Sequence, residues 1–274
     1  MKCNCPPFYQ TIIQKLPFKK REAAHLLSLI AGKSIKADVN NAKMRLNLHE
    51  MIQLEMFLGS YEPIQTEWFK QCLRPGDVFV DVGASFGWYT TLGRSLVGTS
   101  GQVFSFEPSP VAGKVVETMI SESRFENVIL TKAAVGRENG NVILFLPSTP
   151  YLHSPSILKS DPTFVPVQVP VIALDHFAPL KNIPKIKLMK IDVEGYEPDV
   201  LSGMEGLIKD KRIENIFCEF NSGWLKRNSI TPSELFKRFT ELGCQARMQT
   251  RLEEYVNSKD GELWSLQDFW FSIP

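Results

Sequence analysis

Five short apolar runs, at residues 78–82, 102–107, 127–132, 186–191 and 215–220, alternate with stretches of helical spacing, and this alternation constrains the fold more than any other feature. Parallel strands need a crossover connection, usually a helix, so the pattern predicts a parallel sheet with both faces covered. Two helix starts are marked chemically. Ser109-Pro110 offers a cap followed by proline at the first helical position, and "TPSE" at 231–234 is a capping box with the same proline. "NVILFL" at 141–146 and "FVPVQVPVI" at 164–172 predict an added antiparallel pair. The C-terminal "ELWSLQDFWFSIP" predicts a strand that pairs antiparallel with one near 245–249.

Ahead of this region the spacing is helical. "REAAHLLSLIAGK" stops at Gly32, "LHEMIQLEMFLGS" at Gly59, and "YEPIQTEWFKQCLRPGD" continues as a short helix broken at Pro75-Gly76. Residues 1–75 are therefore expected to form an N-terminal helical extension or cap, and residues 76–274 the main α/β domain.

Thirty-one Lys and Arg against thirty Asp and Glu leave a net charge of +1, so no global field draws the chain to nucleic acid or an anionic membrane. A small or locally read substrate fits better. Cys3, Cys5, Cys72, Cys218 and Cys244 have no disulfide-framework spacing, which predicts a reducing, cytoplasmic setting. "MKCNCPPFYQ" lacks the apolar core of a leader, and no run is long enough to cross a bilayer. Cys3 and Cys5 have no second Cys/His pair nearby, so no metal site is expected.

The ligand is read from "VFVDVGASFGWYT" at 78–90. In an open parallel sheet the ligand lies beyond the carboxyl ends of the strands, and the first loop contributes most. Gly83 and Gly87 are spaced G-x-x-x-G, whereas the dinucleotide fingerprint is G-x-G-x-x-G. Asp81 would also repel a diphosphate. A cationic group suits it better, and S-adenosylmethionine carries an ammonium and a sulfonium but no phosphate. Glu107, twenty-four residues after Gly83, stands where an acid accepts hydrogen bonds from both ribose hydroxyls. Ala133 and Ala134 are small enough for an adenine to pack on them. The fourth strand, "KIKLMKIDVEGYEPDVL", delivers Asp192 and Glu194 at its carboxyl end, with Glu197 in the first turn of the next helix. For Glu197 the helix dipole alone is a sufficient reading.

From "FLGSYEP" at 58 to "IENIFCEFN" at 221, the segments "LRPGDVFVDVGASFGWYT", "FSFEPSP", "LDHF" and "KIDVEGYEPDVL" occur in order, and together they resemble the FkbM-type family of S-adenosylmethionine-dependent methyltransferases. The resemblance implies a Rossmann-like class I fold, a seven-stranded mostly parallel sheet with helices on both faces. It also implies methyl transfer, usually to an oxygen of a sugar or natural-product scaffold, with no strict metal requirement. Its donor-site residues carry over as Asp81, Gly83, Gly87, Glu107 and Asp192, and the adjoining Ala84, Ser85, Pro108 and Ala134 complete the expected donor set. The family's segment has an amide where this chain has Ser85.

Methyl transfer is an in-line displacement, so alignment of acceptor, methyl and sulfur is the protein's main task, with proton removal secondary. Asp192, Glu194, Glu219 and His153 are the candidate catalytic residues. His153 lies in "PSTPYLHSPSILKSDPT", a loop of lid-like length. Three functions compete: O-methylation of a small molecule or glycan, methylation of a protein side-chain amide, and a non-catalytic binding module. Nucleic acid is disfavoured, because the fourth strand ends in "DVEG" rather than the Asn/Asp-Pro-Pro-aromatic segment that grips a flipped base.

Overall fold

The computed structural model describes residues 8–15, 22, 27, 34–147, 156–157, 164–257 and 263–274. Most of the helix expected over 21–33, and His153 with most of its loop, lie outside the described residues. Helix α1 (Phe8–Gln14) is followed by a hairpin, β1 (Ile35–Val39) and β2 (Ala42–Leu46), for which helical spacing gives no warning. Its inward residues Ile35, Ala37, Val39, Ala42, Met44 and Leu46 are all buried. Asn40 and Asn41 have φ of 49° and 68°, the two positive values that a type I′ two-residue turn requires. Helices α2 (Met51–Leu58) and α3 (Pro63–Cys72) follow.

The main domain then runs β3 (Val78–Val82), α4 (Trp88–Val97), β4 (Gln102–Phe106), α5 (Pro110–Ser123), β5 (Val128–Thr131), β6 (Ala134–Val135), β7 (Gly140–Leu146) and β8 (Val165–Ile172). It continues with β9 (Leu188–Ile191), α6 (Glu197–Ser202), α7 (Glu205–Lys209), β10 (Asn215–Asn221), α8 (Ser222–Arg227), α9 (Pro232–Glu241), β11 (Gln245–Asn257) and β12 (Leu263–Ser272). Seven strands form one sheet in the order β11-β12-β10-β9-β3-β4-β5. Its β9, β10, β3, β4 and β5 neighbours are parallel, while β12 runs antiparallel to both β10 and β11. β7 and β8 pair antiparallel in a separate three-stranded sheet with β6. The expected caps are formed: Ser109 Oγ accepts from the Ala112 N–H, and Thr231 and Glu234 make a reciprocal capping box.

The chain builds β3, β4 and β5 outward in one direction and then returns to place β9 and β10 on the other side of β3. The strand order thus reverses between β3 and β9, and their carboxyl ends frame a crevice. Side chains alternate across the sheet. Phe79, Val103, Leu188, Phe217 and Trp270 share one core with the hairpin, α2 and Phe69 of α3, while Val80, Phe104, Met189, Ile216 and Phe271 build the other. Phe69 meets Phe79 and Phe217 edge-on at 5.6 Å and 5.4 Å. That packing fixes α3 across the sheet, so the turn before it brings Tyr61 and Glu62 to the crevice. Asp175 of "LDHF" caps α7, accepting from the N–H groups of Gly206 and Leu207 at 2.9 Å each.

Candidate active site

The two sides of the crevice touch at Gly83 and Asp192. A Cβ on Gly83 would lie 1.9 Å from the Asp192 carbonyl oxygen, and Gly83 has φ +83°. The glycine is therefore required by contact between the β3 and β9 loops. Gly87, with φ +92°, caps α4 and faces Val116, where a Cβ would approach to 3.2 Å. Ala84 is buried and donates its N–H to the Phe106 carbonyl.

Asp81 is fully buried on β3. One carboxylate oxygen accepts from the Thr90 hydroxyl at 2.7 Å; the other, Oδ1, has no hydrogen-bond partner among the described residues. Lys190, beside it on β9, holds its ammonium 3.9 Å from that oxygen, 3.0 Å from Asp192 Oδ2 and 3.1 Å from the Gly83 carbonyl. Burial raises the Asp81 carboxyl above its ordinary range, and Lys190 and Thr90 only partly offset this. For Lys190, burial works against the charge, but Asp192, Asp81 and Glu62 outweigh it and the ammonium is held above its usual value. Asp81 and Asp192 thus share one cation.

Glu107, directly after β4, grips the loop after β3. Its two oxygens accept from the Ser85 N–H at 2.6 Å and the Ser109 N–H at 2.8 Å. Ser85 adopts φ 49°, one of three non-glycine left-handed residues at this edge of the sheet, with Glu62 at 42° and Glu194 at 51°. Such strain persists only where surroundings impose it, and it clusters at functional sites. Burial outweighs the N–H bonds and pushes Glu107 up to about 7. Glu197 is more than a dipole-favoured helix start: it is 1% exposed and clasps the loop before it. Its Oε1 accepts from the Gly195 N–H at 3.1 Å, and burial pushes the group up to about 8.

A second layer of polar groups lies beyond the crevice on the Lys190 side. Glu62, ahead of α3, accepts from the Tyr89 hydroxyl, and burial followed by Asp192 raises its carboxyl. Glu219 on β10 stands directly across from Asp268 on β12, whose Oδ2 accepts from Gln65 at 2.7 Å. Burial, then Asp192, Glu194, Glu62 and Asp268, hold Glu219 well above the ordinary carboxyl range. A half-buried carboxyl among like charges is more basic than an ordinary carboxylate, which suits a proton acceptor.

The structure thus brings together Asp81, Gly83, Ala84, Ser85, Gly87, Glu107, Asp192 and Glu219. Pro108 is half-buried beside Glu107. Glu194 is half-buried on the β9 loop, its carbonyl accepting from Ser156 Oγ at 3.2 Å. Ala134 is buried and pairs with Val171 of β8. Lys190 heads the segment "KIDVEGYEPDVL", but "KLMKID" reads as ordinary alternation, so its burial and its role escape sequence reasoning. Asp268 escapes it because its place depends on how β12 pairs.

The Methyltransferase FkbM domain family matches residues 81–246, more than half of the chain. The chain belongs to the FkbM methyltransferase family. Among curated relatives of this FkbM methyltransferase, the hexuronic acid methyltransferase AglP of Haloferax volcanii is 24% identical over 185 residues, 67% of this chain and 68% of that protein. Methyltransferase 1 of Beauveria bassiana is 28% identical over 164 residues, 53% of this chain and 65% of that protein. A solved FkbM methyltransferase from Methylobacillus flagellatus superposes with a TM-score of 0.47 at 13% identity, covering 95% of this chain and 57% of that one. Among the described residues, no helix is long and apolar enough to cross a membrane.

Proposed function

We propose that this FkbM methyltransferase uses S-adenosylmethionine to methylate a hydroxyl of a sugar or another small molecule. The observation that carries this reading is Asp81 Oδ1, a fully buried carboxylate oxygen without a hydrogen-bond partner among the described residues, on the strand that leads into the glycine loop. An anionic oxygen that has no hydrogen-bond donor and shares its cation with Asp192 fits a donor with positive charge and no phosphate. Asp81 and Asp192 hold the cationic end, the 83–87 loop lies along the donor, and Glu107 takes the ribose hydroxyls. The hydroxyls would add hydrogen bonds to the ionised form of Glu107. When bound, the donor supplies a methyl group activated by a positively charged sulfur.

The chain's own work is then alignment and proton removal. Holding acceptor and donor in line contributes about 7–11 kcal/mol in well-oriented reactions. Asp192 has one oxygen committed to Lys190, so the base assigned here is Glu219, whose carboxyl is raised by burial and then by Asp192. Asp192 then serves as anchor, and Glu194, further round the same loop, shapes the local charge. A sugar acceptor is in keeping with the relative named as a hexuronic acid methyltransferase. Among the described residues, Cys72, Cys218 and Cys244 are free thiols.

Incubation with donor tritiated in the methyl group, alongside separated glycan, small-molecule and protein pools, tests the reading. Label is expected in the glycan or small-molecule pool. Label confined to protein would move the acceptor to a side-chain amide, and no transfer to any pool would leave a binding module.

A further inference from the structure

Lys190 is a lysine in the middle of a parallel sheet, on a strand flanked by β3 and β10, with its side chain 4% exposed. Burying an ammonium there is costly unless several partners offset it. Its partners come from both sides of the crevice: the Gly83 carbonyl after β3 and the Asp192 carboxylate at the end of β9, at 3.1 Å and 3.0 Å. Asp81 Oδ1 lies 3.9 Å away, and the Tyr89 ring of α4 is centred 5.1 Å from the ammonium. One cation therefore ties the two loops together and serves two carboxylates.

We propose that Lys190 is the positioning residue of the donor site, acting through Asp81 and Asp192, whose charges its ammonium balances between the two loops, to set the preference for a sulfonium donor over its thioether product. The proposal rests on the donor reading given above. Without Lys190, two carboxylates that share a crevice resist ionising together, so the charge they present to the donor depends on pH. S-adenosylmethionine and S-adenosylhomocysteine differ by one positive charge at sulfur, so the ratio of their affinities reports the local charge. Glu62 ahead of α3, Tyr89 on α4, Glu107 after β4 and Glu219 on β10 also face this region and titrate, and Asp268 on β12 lies opposite Glu219. They are common to every protein compared, so the difference between variants isolates Lys190.

The experiment measures dissociation constants of both nucleosides by calorimetry from about pH 6 to 8.5, for the unaltered protein, Lys190→Met and Lys190→Met/Asp192→Asn. The single variant should show a preference for the sulfonium that climbs with pH at least ~10-fold more than in the unaltered protein. The double variant, with its charge balance restored, should return to the unaltered slope. Equal weakening of both ligands at an unaltered slope would reduce Lys190 to packing and overturn the proposal. If the single variant fails to fold, the double carries the test: it must fold and keep the unaltered slope, and failure of either overturns the proposal. Failure of the unaltered protein to bind either nucleoside would instead refute the donor reading itself.

Discussion

Gly83→Ala should abolish donor binding and destabilise the fold more than any other single methyl addition at the crevice. Its Cβ would sit 1.9 Å from the Asp192 carbonyl oxygen and 2.9 Å from the carbonyl carbon, both backbone atoms that no rotamer change can move. The left-handed φ of +83° adds strain on the order of 1–3 kcal/mol for a residue with a Cβ. Gly243 separates the two contributions. It has φ +89°, but a methyl group there would meet nothing within 4 Å, so Gly243→Ala reports φ strain alone. Urea unfolding should show Gly83→Ala less stable than Gly243→Ala, with S-adenosylhomocysteine binding lost only in the former. Equal stability and intact binding in both would mean that the β3 and β9 loops do not meet as described.

Glu219→Gln should lower kcat by roughly 10²–10⁴-fold, the usual contribution of a positioned base, while leaving donor affinity within a few-fold. The amide keeps the size of the side chain but cannot accept the acceptor's proton. In the unaltered protein, kcat should rise with pH as Glu219 ionises through its raised pKa, because only the carboxylate is basic. The variant should lose that ascending limb. Relief of like-charge crowding against Asp192, Glu194, Glu62 and Asp268 should leave Glu219→Gln at least as stable as the unaltered chain. A variant with full kcat would place the base elsewhere on the crevice.

Much of this arrangement is written locally in the chain. The acid, glycine and aromatic order in "VFVDVGASFGWYT" specifies a strand, a tight loop and a helix, and the loop forms where that order puts it. The hairpin at 35–46 is equally local, since "IKADVNNAKMRL" alternates apolar and polar residues about an Asn-Asn turn. Helical spacing on either side draws attention from it. What the chain does not disclose depends on distant pairings. Lys190 acquires its meaning only when β3 lies beside β9, Glu62 when Phe69 packs α3 over the sheet, and Glu219 when β12 sets Asp268 opposite it. Glu197 resembles a surface helix start in the sequence because burial is a property of the loop folded over it. The positive φ values at Ser85 and Glu194 likewise belong to the assembled crevice.

The β3–β9 crevice is built to recognise a cationic sulfur nucleoside. Calorimetric titration of the unaltered protein with S-adenosylmethionine, and separately with NAD, tests that recognition most directly. One S-adenosylmethionine bound per chain with no heat from NAD is the predicted result. Binding of NAD with S-adenosylmethionine inert would contradict it.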